Sequence, residues 1–247
     1  MERSICVIPA RYSSLRLPGK PLLKLKNKPM VIWVYDAAKN SNVFEEIVIA
    51  TDDHRIMKVA QQYGARAVMT RKDHPSGSDR VWEVVRNEDY DIVVNLQGDE
   101  PFIKPSILSK LVITIRNDNE ADIVTPIRKA KNVEEITSRH TAKVIVDNRG
   151  MALYFSRAPI PYPRENNFYD PDYYYIHIGI YAYRKEALYR FVQSEPPAIE
   201  RIESLEQLRA LWNGLTIKTV PVDYTGISID TPEDYEKARN LLGGKND

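Results

Sequence analysis

The first half of this 247-residue chain alternates short, almost continuously apolar segments with amphipathic segments. Strands that are apolar along their whole length are typical of a parallel sheet whose two faces are covered by helices. The pattern predicts strands at residues 5–8, 47–51, 66–69 and 92–96, and helices at 29–39, 53–63, 78–86 and 105–116. We therefore predict an α/β fold with a mostly parallel sheet and helices on both faces.

The second half has a different pattern. Strand patterns at 123–127, 143–147, 151–157 and 176–183 flank a proline- and tyrosine-rich loop at 159–175, and they predict antiparallel additions to the sheet. The loop is either a lid or partner surface, or a segment that packs its own tyrosines. A strand at 216–222 and helices at 205–212 and 232–242 complete the pattern. We predict one α/β domain over 1–247, with a dimerisation subregion at about 122–190.

Composition excludes several classes of protein. The chain has 35 Lys and Arg against 34 Asp and Glu, so it lacks the broad positive charge of a nucleic-acid binder. No apolar stretch approaches the length of a transmembrane helix, and residues 1–4 lead into the first strand without a signal-peptide pattern. The single cysteine, Cys6, allows no disulfide within the chain. These features predict a cytoplasmic protein with no membrane insertion and no nucleic-acid partner.

A cationic loop follows the first strand. Pro9 and Ala10 end the strand, and Arg11, Arg16 and Lys20 follow within one short segment. Gly19 would let the backbone approach an anion closely, so the loop suits a polyanion such as a triphosphate. The alternative is a solvated loop whose cations point into water. Because neither a P-loop nor a G-x-G-x-x-G turn occurs, side chains must hold the phosphates.

Two acids occupy similar positions after predicted strands. Asp99 follows Gly98 at the end of the fourth strand, and Asp230 lies between the strand at 216–222 and the last helix. Ligands of open α/β sheets bind beyond the carboxyl ends of strands, and two carboxylates with triphosphate oxygens would suit Mg²⁺. Alternatively, each acid is a turn or capping residue. For Asp52 and Asp53 we favour the capping role.

Two further polar groups carry possible chemistry. The loop at 70–80 offers hydroxyls, arginines and a helix N-terminus as a nucleobase and phosphate wall. A second group could hold an acidic polyol, because arginines bind carboxylates and the other side chains bind hydroxyls. Its members are Gln97, Arg157, Arg164, His177, Tyr181 and Glu206. Taken singly, His177 is more typical of a buried core histidine and Tyr181 of packing. No zinc-hydrolase or serine-hydrolase motif occurs.

These motifs, in this order, resemble the 3-deoxy-manno-octulosonate (Kdo) cytidylyltransferases, also called CMP-Kdo synthetases. The resemblance spans nearly the whole chain. It rests on Ile8-Pro9-Ala10-Arg11-Tyr12-Ser13-Ser14, Arg16-Leu17-Pro18-Gly19-Lys20-Pro21, Ala50-Thr51-Asp52-Asp53, Ser76-Gly77-Ser78-Asp79-Arg80, Asn95-Leu96-Gln97-Gly98-Asp99-Glu100-Pro101, Tyr154-Phe155-Ser156-Arg157-Ala158-Pro159-Ile160-Pro161, His177-Ile178-Gly179-Ile180-Tyr181, Leu205-Glu206-Gln207-Leu208-Arg209 and Asp230-Thr231-Pro232-Glu233-Asp234.

The resemblance implies a nucleotide-diphospho-sugar transferase fold and a homodimer that converts CTP and Kdo into CMP-Kdo and pyrophosphate for lipopolysaccharide assembly. It implies that Arg11 and Lys20 hold the CTP phosphates and that Asp99 and Asp230 ligate Mg²⁺. By the same resemblance, the nucleotide wall contains Arg71, Ser78, Asp79 and Arg80, and Kdo contacts Gln97, Arg157, Arg164, His177, Tyr181 and Glu206. Two positions depart from the family pattern: Ser78 replaces a usual threonine, and residues 138–143 replace an expected Asn-Pro turn.

Two other functions are compatible with parts of this pattern. A CMP-sialic acid synthetase acts on a related 2-keto-3-deoxy acid and shares the early motif. A catalytically silent nucleotide or sugar-acid binding protein could use the same fold. The presence of both Asp99 and Asp230 argues against the silent protein, because simple binding does not require a metal site.

Overall fold

The computed structural model describes residues 2–13, 16–164 and 169–242, so residues 14 and 15 of the cationic loop and 165–168 of the proline- and tyrosine-rich loop lie outside the described residues. The strands, in chain order, are β1 Ser4–Ala10, β2 Lys24–Leu25, β3 Lys28–Pro29, β4 Glu46–Thr51, β5 Arg66–Met69, β6 Ile92–Asn95, β7 Ile123–Lys129, β8 Lys143–Val146, β9 Ala152–Ser156, β10 Tyr175–His177, β11 Tyr181–Arg184 and β12 Ile217–Pro221. The helices are α1 Met30–Asn40, α2 His54–Gln62, α3 Gly77–Val85, α4 Pro105–Asn117, α5 Val133–Thr137, α6 Lys185–Gln193, α7 Ala198–Glu203, α8 Gln207–Trp212 and α9 Pro232–Leu241.

The chain forms two compact units, where the sequence predicts one domain with a subregion at about 122–190. The first unit comprises Met1–Ser109 and Tyr224–Asp247. Its main sheet is parallel, in the order β5, β4, β1, β6. Every residue of β1 is buried, which agrees with its continuous apolar sequence. The carboxyl ends of these strands therefore face one edge, where the loops after β1 and β6 can build a site.

The second unit comprises Lys110–Asp223 and is built around β7. Strand β12 pairs with β7 in parallel, while β10 and β11 pair with it antiparallel. Strand β8 pairs with β10, and β9 pairs with β8 and is the last strand in this order. The predicted antiparallel additions are confirmed, as is the α/β class with a mixed sheet.

The segment predicted as one strand at 176–183 is two strands, β10 and β11. Both lie along β7, and the ladder breaks opposite Pro126. Proline has no N–H with which to continue the ladder. Its carbonyl accepts from Ile178 N at 3.1 Å, and the Ile180 amide turns back to the Ile178 carbonyl at 2.7 Å. The break separates His177 from Tyr181 by a short turn.

Three helices of the second unit were not predicted: α5, α6 and α7. Helices α5 and α7 have five and six residues, a length at which tertiary contacts decide whether a helix forms. Helix α6 buries Ala187, Leu188 and Phe191 on one face, a pattern that the sequence does carry. Within the described residues, no helix has both the length and the apolar composition to cross a bilayer.

Candidate active site

A cavity of about 230 Å³ lies at the carboxyl end of β1 in the first unit. The last two residues of β1 and the residues that follow β1 and β6 contribute most of its wall, together with the turn that holds Lys20 and the first residue of α3. The lining residues are Pro9, Ala10, Arg11, Ser13, Lys20, Pro21, Gly77, Gln97, Gly98 and Asp99. Most residues that the sequence assigned to phosphate lie here, and Gln97, predicted to contact Kdo, lies here as well.

Two glycines shape this cavity. Gly19 adopts a left-handed conformation with φ of 70° and precedes the short 3-10 turn Lys20–Leu22. A side chain is disfavoured in that conformation, so glycine allows the turn that carries Lys20. At Gly98 an added Cβ would lie 3.0 Å from the Pro9 carbonyl oxygen. The absence of a side chain there lets the Asp99 loop approach the end of β1.

Lys20 joins the two predicted metal ligands. Its Nζ lies 2.8 Å from Asp99 Oδ2 and 3.0 Å from Asp230 Oδ1. Arg16 adds a second cation, with Nη2 at 3.3 Å from Asp230 Oδ2. Burial alone would lower the pKa of Lys20, but the two carboxylates outweigh it and the pKa is raised. Burial would raise the pKa of Asp230, but Lys20 and Arg16 hold it below its ordinary value. Lys20 and Asp230 are therefore both ionised at neutral pH.

The alternative that Asp230 caps the last helix is wrong. The N-cap of α9 is Thr231, whose side chain accepts from the Asp234 amide in a capping box. Because Thr231 takes this role, the Asp230 carboxylate is free to bind Lys20. Asp99 lies in a loop that ends before α4 begins at Pro105, and its carboxylate also binds Lys20.

The two carboxylates fit a divalent cation. They converge on one ammonium group, which shows that both can reach a shared positive charge, and carboxylate oxygens are ligands that Mg²⁺ prefers. Among the residues described, no group of three or more His, Cys, Asp or Glu side chains could hold a metal ion.

Glu100, which the sequence analysis did not select, is buried beside this pair. Its side chain accepts a hydrogen bond from the Tyr224 hydroxyl. Burial, together with the neighbouring Asp99 charge, raises the pKa of Glu100 to about 8. Its position next to Asp99 was the only available signal, since burial and partners depend on the tertiary fold.

The predicted nucleotide wall is only partly exposed. Arg71 is exposed, and Arg11 donates from Nη2 to the His74 carbonyl at 2.7 Å. Ser78 is fully buried, and its hydroxyl accepts from Asn95 Nδ2 at 3.2 Å. The cap of α3 is Ser76, whose hydroxyl lies 2.6 Å from Asp79 Oδ2. Ser78 and Asp79 therefore serve the local structure of this loop.

The structure corrects the prediction that the Arg80 side chain lies along the nucleotide wall. It is fully buried, with Nη1 at 2.6 Å from Thr70 Oγ1 and Nη2 at 3.0 Å from Asp52 Oδ2. The expected cap of α2 is confirmed for Asp53, which accepts from Arg55 N at 2.8 Å. Asp52 instead pairs with Arg80. This arginine therefore stabilises the predicted nucleotide wall from the protein interior.

In the second unit, the structure brings His177 and Tyr181 together. Their ring centroids lie 5.4 Å apart, and the Tyr181 hydroxyl donates to Gln207 Oε1 at 3.2 Å. His177 Nε2 lies 2.9 Å from Thr125 Oγ1. Burial lowers the pKa of His177 to about 3, so the imidazole is neutral at pH 7. Thr125 and Gln207 were missed by the sequence analysis, although Gln207 directly follows the selected Glu206, the N-cap of α8.

The guanidinium of Arg157 binds backbone carbonyl groups and not a carboxylate side chain. It donates to the carbonyls of Glu203, Ser204 and Arg139 at 2.7, 3.1 and 3.1 Å. The buried ammonium of Lys143 binds the Arg157 carbonyl at 2.6 Å, and its burial lowers its pKa to about 8. Arg157 therefore orders this loop cluster, while Arg164 is exposed.

A family model described as cytidylyltransferase matches residues 5–217. A 3-deoxy-manno-octulosonate cytidylyltransferase of Thermodesulfovibrio yellowstonii is 44% identical over 97% of this chain and 98% of its own length. One of Escherichia coli is 44% identical, with coverage of 98% and 97%.

Solved structures agree with these matches. A structure of CMP:2-keto-3-deoxy-manno-octonic acid synthetase complexed with CTP is 44% identical, with a TM-score of 0.92 and coverage of 98% of each chain. A 4-diphosphocytidyl-2C-methyl-D-erythritol synthase of Anaerococcus prevotii, at 18% identity and a TM-score of 0.68, shares the fold.

The fold, the cationic cavity and the family match define a nucleotidyltransferase. Within that class, the chain belongs to the 3-deoxy-manno-octulosonate cytidylyltransferase family. The resemblance identified from the sequence motifs is confirmed.

Proposed function

We propose that this chain transfers CMP from CTP to Kdo, giving CMP-Kdo and pyrophosphate for lipopolysaccharide assembly. The observation that carries the proposal is the convergence of Asp99 and Asp230 on Lys20, at the cationic cavity beyond β1. Family membership over nearly the full length supports the choice of substrates.

In the reaction, the anomeric hydroxyl of Kdo attacks the α-phosphorus of CTP. A bond forms between that oxygen and phosphorus, the bond from the α-phosphorus to the bridging oxygen breaks, pyrophosphate leaves with that oxygen, and the hydroxyl proton passes to solvent. Negative charge grows on the departing pyrophosphate, and Arg11 and Lys20 are the cations of the cavity that can stabilise it. The protein thus contributes mainly position and charge neutralisation.

Asp99 and Asp230 would hold Mg²⁺. When bound, the ion would neutralise phosphate charge and lower the pKa of a coordinated hydroxyl. Lys20 now bridges the two carboxylates, so its ammonium would move toward phosphate when a divalent cation takes its place. The Arg16 contact with Asp230 would help keep that carboxylate ionised throughout.

For the acceptor, the group of His177, Tyr181 and Gln207 supplies donors and acceptors that can pair with sugar hydroxyls. Neutral His177 can accept as well as donate, which suits sugar hydroxyls better than a carboxylate. Arg164 is exposed, so its guanidinium is available to bind the carboxylate of Kdo.

Pyrophosphate release with CTP and Mg²⁺ tests the proposal directly. Kdo, its 8-amino analogue and sialic acid are offered as acceptors in parallel. Rapid release with Kdo supports the proposal, and preference for sialic acid would instead indicate a CMP-sialic acid synthetase. CTP binding without release for any acceptor would indicate the silent binding protein.

Arg157→Ala and Arg164→Ala are each expected to raise the Kdo KM by about 10-fold or more, with the CTP KM within about twofold of wild type. The reason differs: Arg164 would lose a direct contact, whereas Arg157 would release the loops that its guanidinium holds. Urea unfolding separates the two, because only Arg157→Ala should lose stability. Arg149→Ala, an exposed arginine of the same unit, is the control. Equal effects on both KM values, or efficient use of a neutral sugar 1-phosphate, would contradict the assignment.

A homodimer is also expected, and it would form through the second unit. Leu153 on β9 is 58% exposed and Ile202 is 80% exposed, which is unusual for large apolar side chains at a solvated surface. Light scattering at micromolar concentration should give twice the chain mass, and Leu153→Asp with Ile202→Asp should give a monomer. Tyr63→Asp, in the first unit, is the control. A monomeric wild type with full activity would contradict this prediction.

A cytoplasmic location of the protein likewise stays a prediction.

A further inference from the structure

The segment between β12 and α9 carries Asp230 but has no helix or strand of its own between residues 224 and 230. Backbone without regular structure does not by itself fix a side chain to within the tolerance of a binding site. The position of Asp230 relative to Asp99 must therefore come from other contacts of this segment.

Two hydrogen bonds connect the segment to the loop after β6, and both lie within the first unit. The Ile229 amide donates to the Asp99 carbonyl at 3.0 Å. The Tyr224 hydroxyl donates to the Glu100 carboxyl group. These bonds involve the residue directly before Asp230 and the residue directly after Asp99. They therefore determine how far apart the two carboxylates lie.

Burial makes this connection rigid. Glu100 is 6% exposed and Tyr224 is 5% exposed, so water does not compete for the bond between them. A buried carboxyl group that lost its hydroxyl partner would be left with an unsatisfied polar atom away from water, and this cost favours the bonded arrangement.

Gly226 supports the same arrangement independently. A Cβ added there would lie 2.2 Å from the Tyr224 hydroxyl oxygen and 2.3 Å from Tyr224 Cζ. The chain at residue 226 is thus folded tightly over the end of the Tyr224 ring. Any side chain at this position would push the tyrosine away from Glu100.

We propose that Glu100, through Tyr224, is a positioning residue that sets the separation of Asp99 and Asp230. Glu100 is not among the residues that line the cavity, and it acts by holding the Asp230 segment against the Asp99 loop. The inference rests on the proposed function only in assigning a divalent cation to this pair. The packing of the Asp230 segment on the Asp99 loop is argued from the two hydrogen bonds and from Gly226 alone.

Tyr224→Phe is the most direct test, because it removes the hydroxyl and keeps the ring. Tyr90→Phe is the matched control: Tyr90 is a buried tyrosine of the same unit whose hydroxyl donates to Glu46 Oε2 at 2.9 Å. Glu100→Gln tests the carboxyl group that accepts the Tyr224 hydrogen bond, and Gly226→Ala tests the close packing of the chain on the Tyr224 ring. Since Glu100→Gln could fail to fold, Tyr224→Phe and Gly226→Ala keep the inference testable.

Amide hydrogen exchange without substrates is measured first. Tyr224→Phe and Gly226→Ala should speed exchange at Ile229 by about 10-fold or more, with β1 amides unchanged. Mn²⁺ binding with CTP, followed by electron paramagnetic resonance, should weaken by about fivefold, and kcat should fall about 10-fold while the CTP KM changes less than about twofold. Tyr90→Phe should change none of these.

Wild-type exchange at Ile229 together with wild-type Mn²⁺ affinity in Tyr224→Phe would overturn the inference. So would an equal loss in Tyr90→Phe, because that would indicate a general effect of removing a buried hydroxyl. The exchange result is independent of catalysis. A wild-type protein that released no pyrophosphate with Kdo would contradict the proposed function. The positioning role would then be tested by comparing amide exchange at Ile229 in wild type and in Tyr224→Phe.

Discussion

Asp99→Asn and Asp230→Asn should each nearly abolish turnover, a loss of about 10³-fold or more in kcat. Both carboxylates lie within 3.0 Å of the same ammonium group, so either substitution removes half of the acidic pair that would hold the cation. The double variant should be little worse than either single variant, because one loss already disables the shared site. Steady-state kinetics over a range of Mg²⁺ and Mn²⁺ concentrations measures this, and excess metal should partly restore a single variant.

Asp36→Asn is the control for this pair. Asp36 accepts from Lys28 Nζ at 2.7 Å in the same unit, so the variant also breaks a lysine–aspartate pair but should keep wild-type kcat. If Asp99 and Asp230 had only independent structural roles, the variants would instead show additive stability losses of about 1 kcal/mol with catalysis retained. Full activity in either single variant would contradict the shared site.

Lys20→Ala and Arg11→Ala should each lower kcat by about 100-fold or more. Each removes a cation from the cavity where the triphosphate would lie, and Lys20 is only 14% exposed, so its charge is weakly screened by water. Lys20→Ala also leaves Asp99 and Asp230 without their shared counter-charge. We therefore expect Mg²⁺ to raise the thermal midpoint of this variant more than that of wild type.

Lys28→Ala is the comparison for Lys20→Ala, because it breaks an ion pair outside the cavity and should leave kcat unchanged. Differential scanning fluorimetry with and without Mg²⁺ measures the thermal response. Wild-type kcat with unchanged CTP affinity in Lys20→Ala or Arg11→Ala would remove that residue from the phosphate site.

The pattern of apolar segments was enough to predict the parallel sheet of the first unit and most of its helix positions. These elements depend on local periodicity. Strands β1 and β6 are buried on both faces, so nearly every residue in them is apolar. The Pro-Gly turn before Lys20 was also predictable, since the left-handed conformation of Gly19 is a local requirement. Short helices α5 and α7 were not predictable in this way, because their stability comes from neighbours distant in sequence.

Residue type alone was a weaker guide within the site. Arg80 looked like a cation for the nucleotide but is fully buried against Asp52 and Thr70. Arg157 looked like a carboxylate ligand but donates to backbone carbonyls. An arginine carries the same charge in either role, and only its partners decide between ligand and scaffold.

By itself, the sequence determined the fold class, the family and the list of polar residues from which a site could be built, because periodicity, turn glycines and motif order are local properties of the chain. Only the tertiary structure decided which of these residues meet. Lys20, Asp99 and Asp230 come from distant parts of the chain, and their 2.8 and 3.0 Å contacts depend on how the segment before α9 packs on the loop after β6. That packing runs through Glu100 and Tyr224, whose hydrogen bond and burial have no local signature in the sequence.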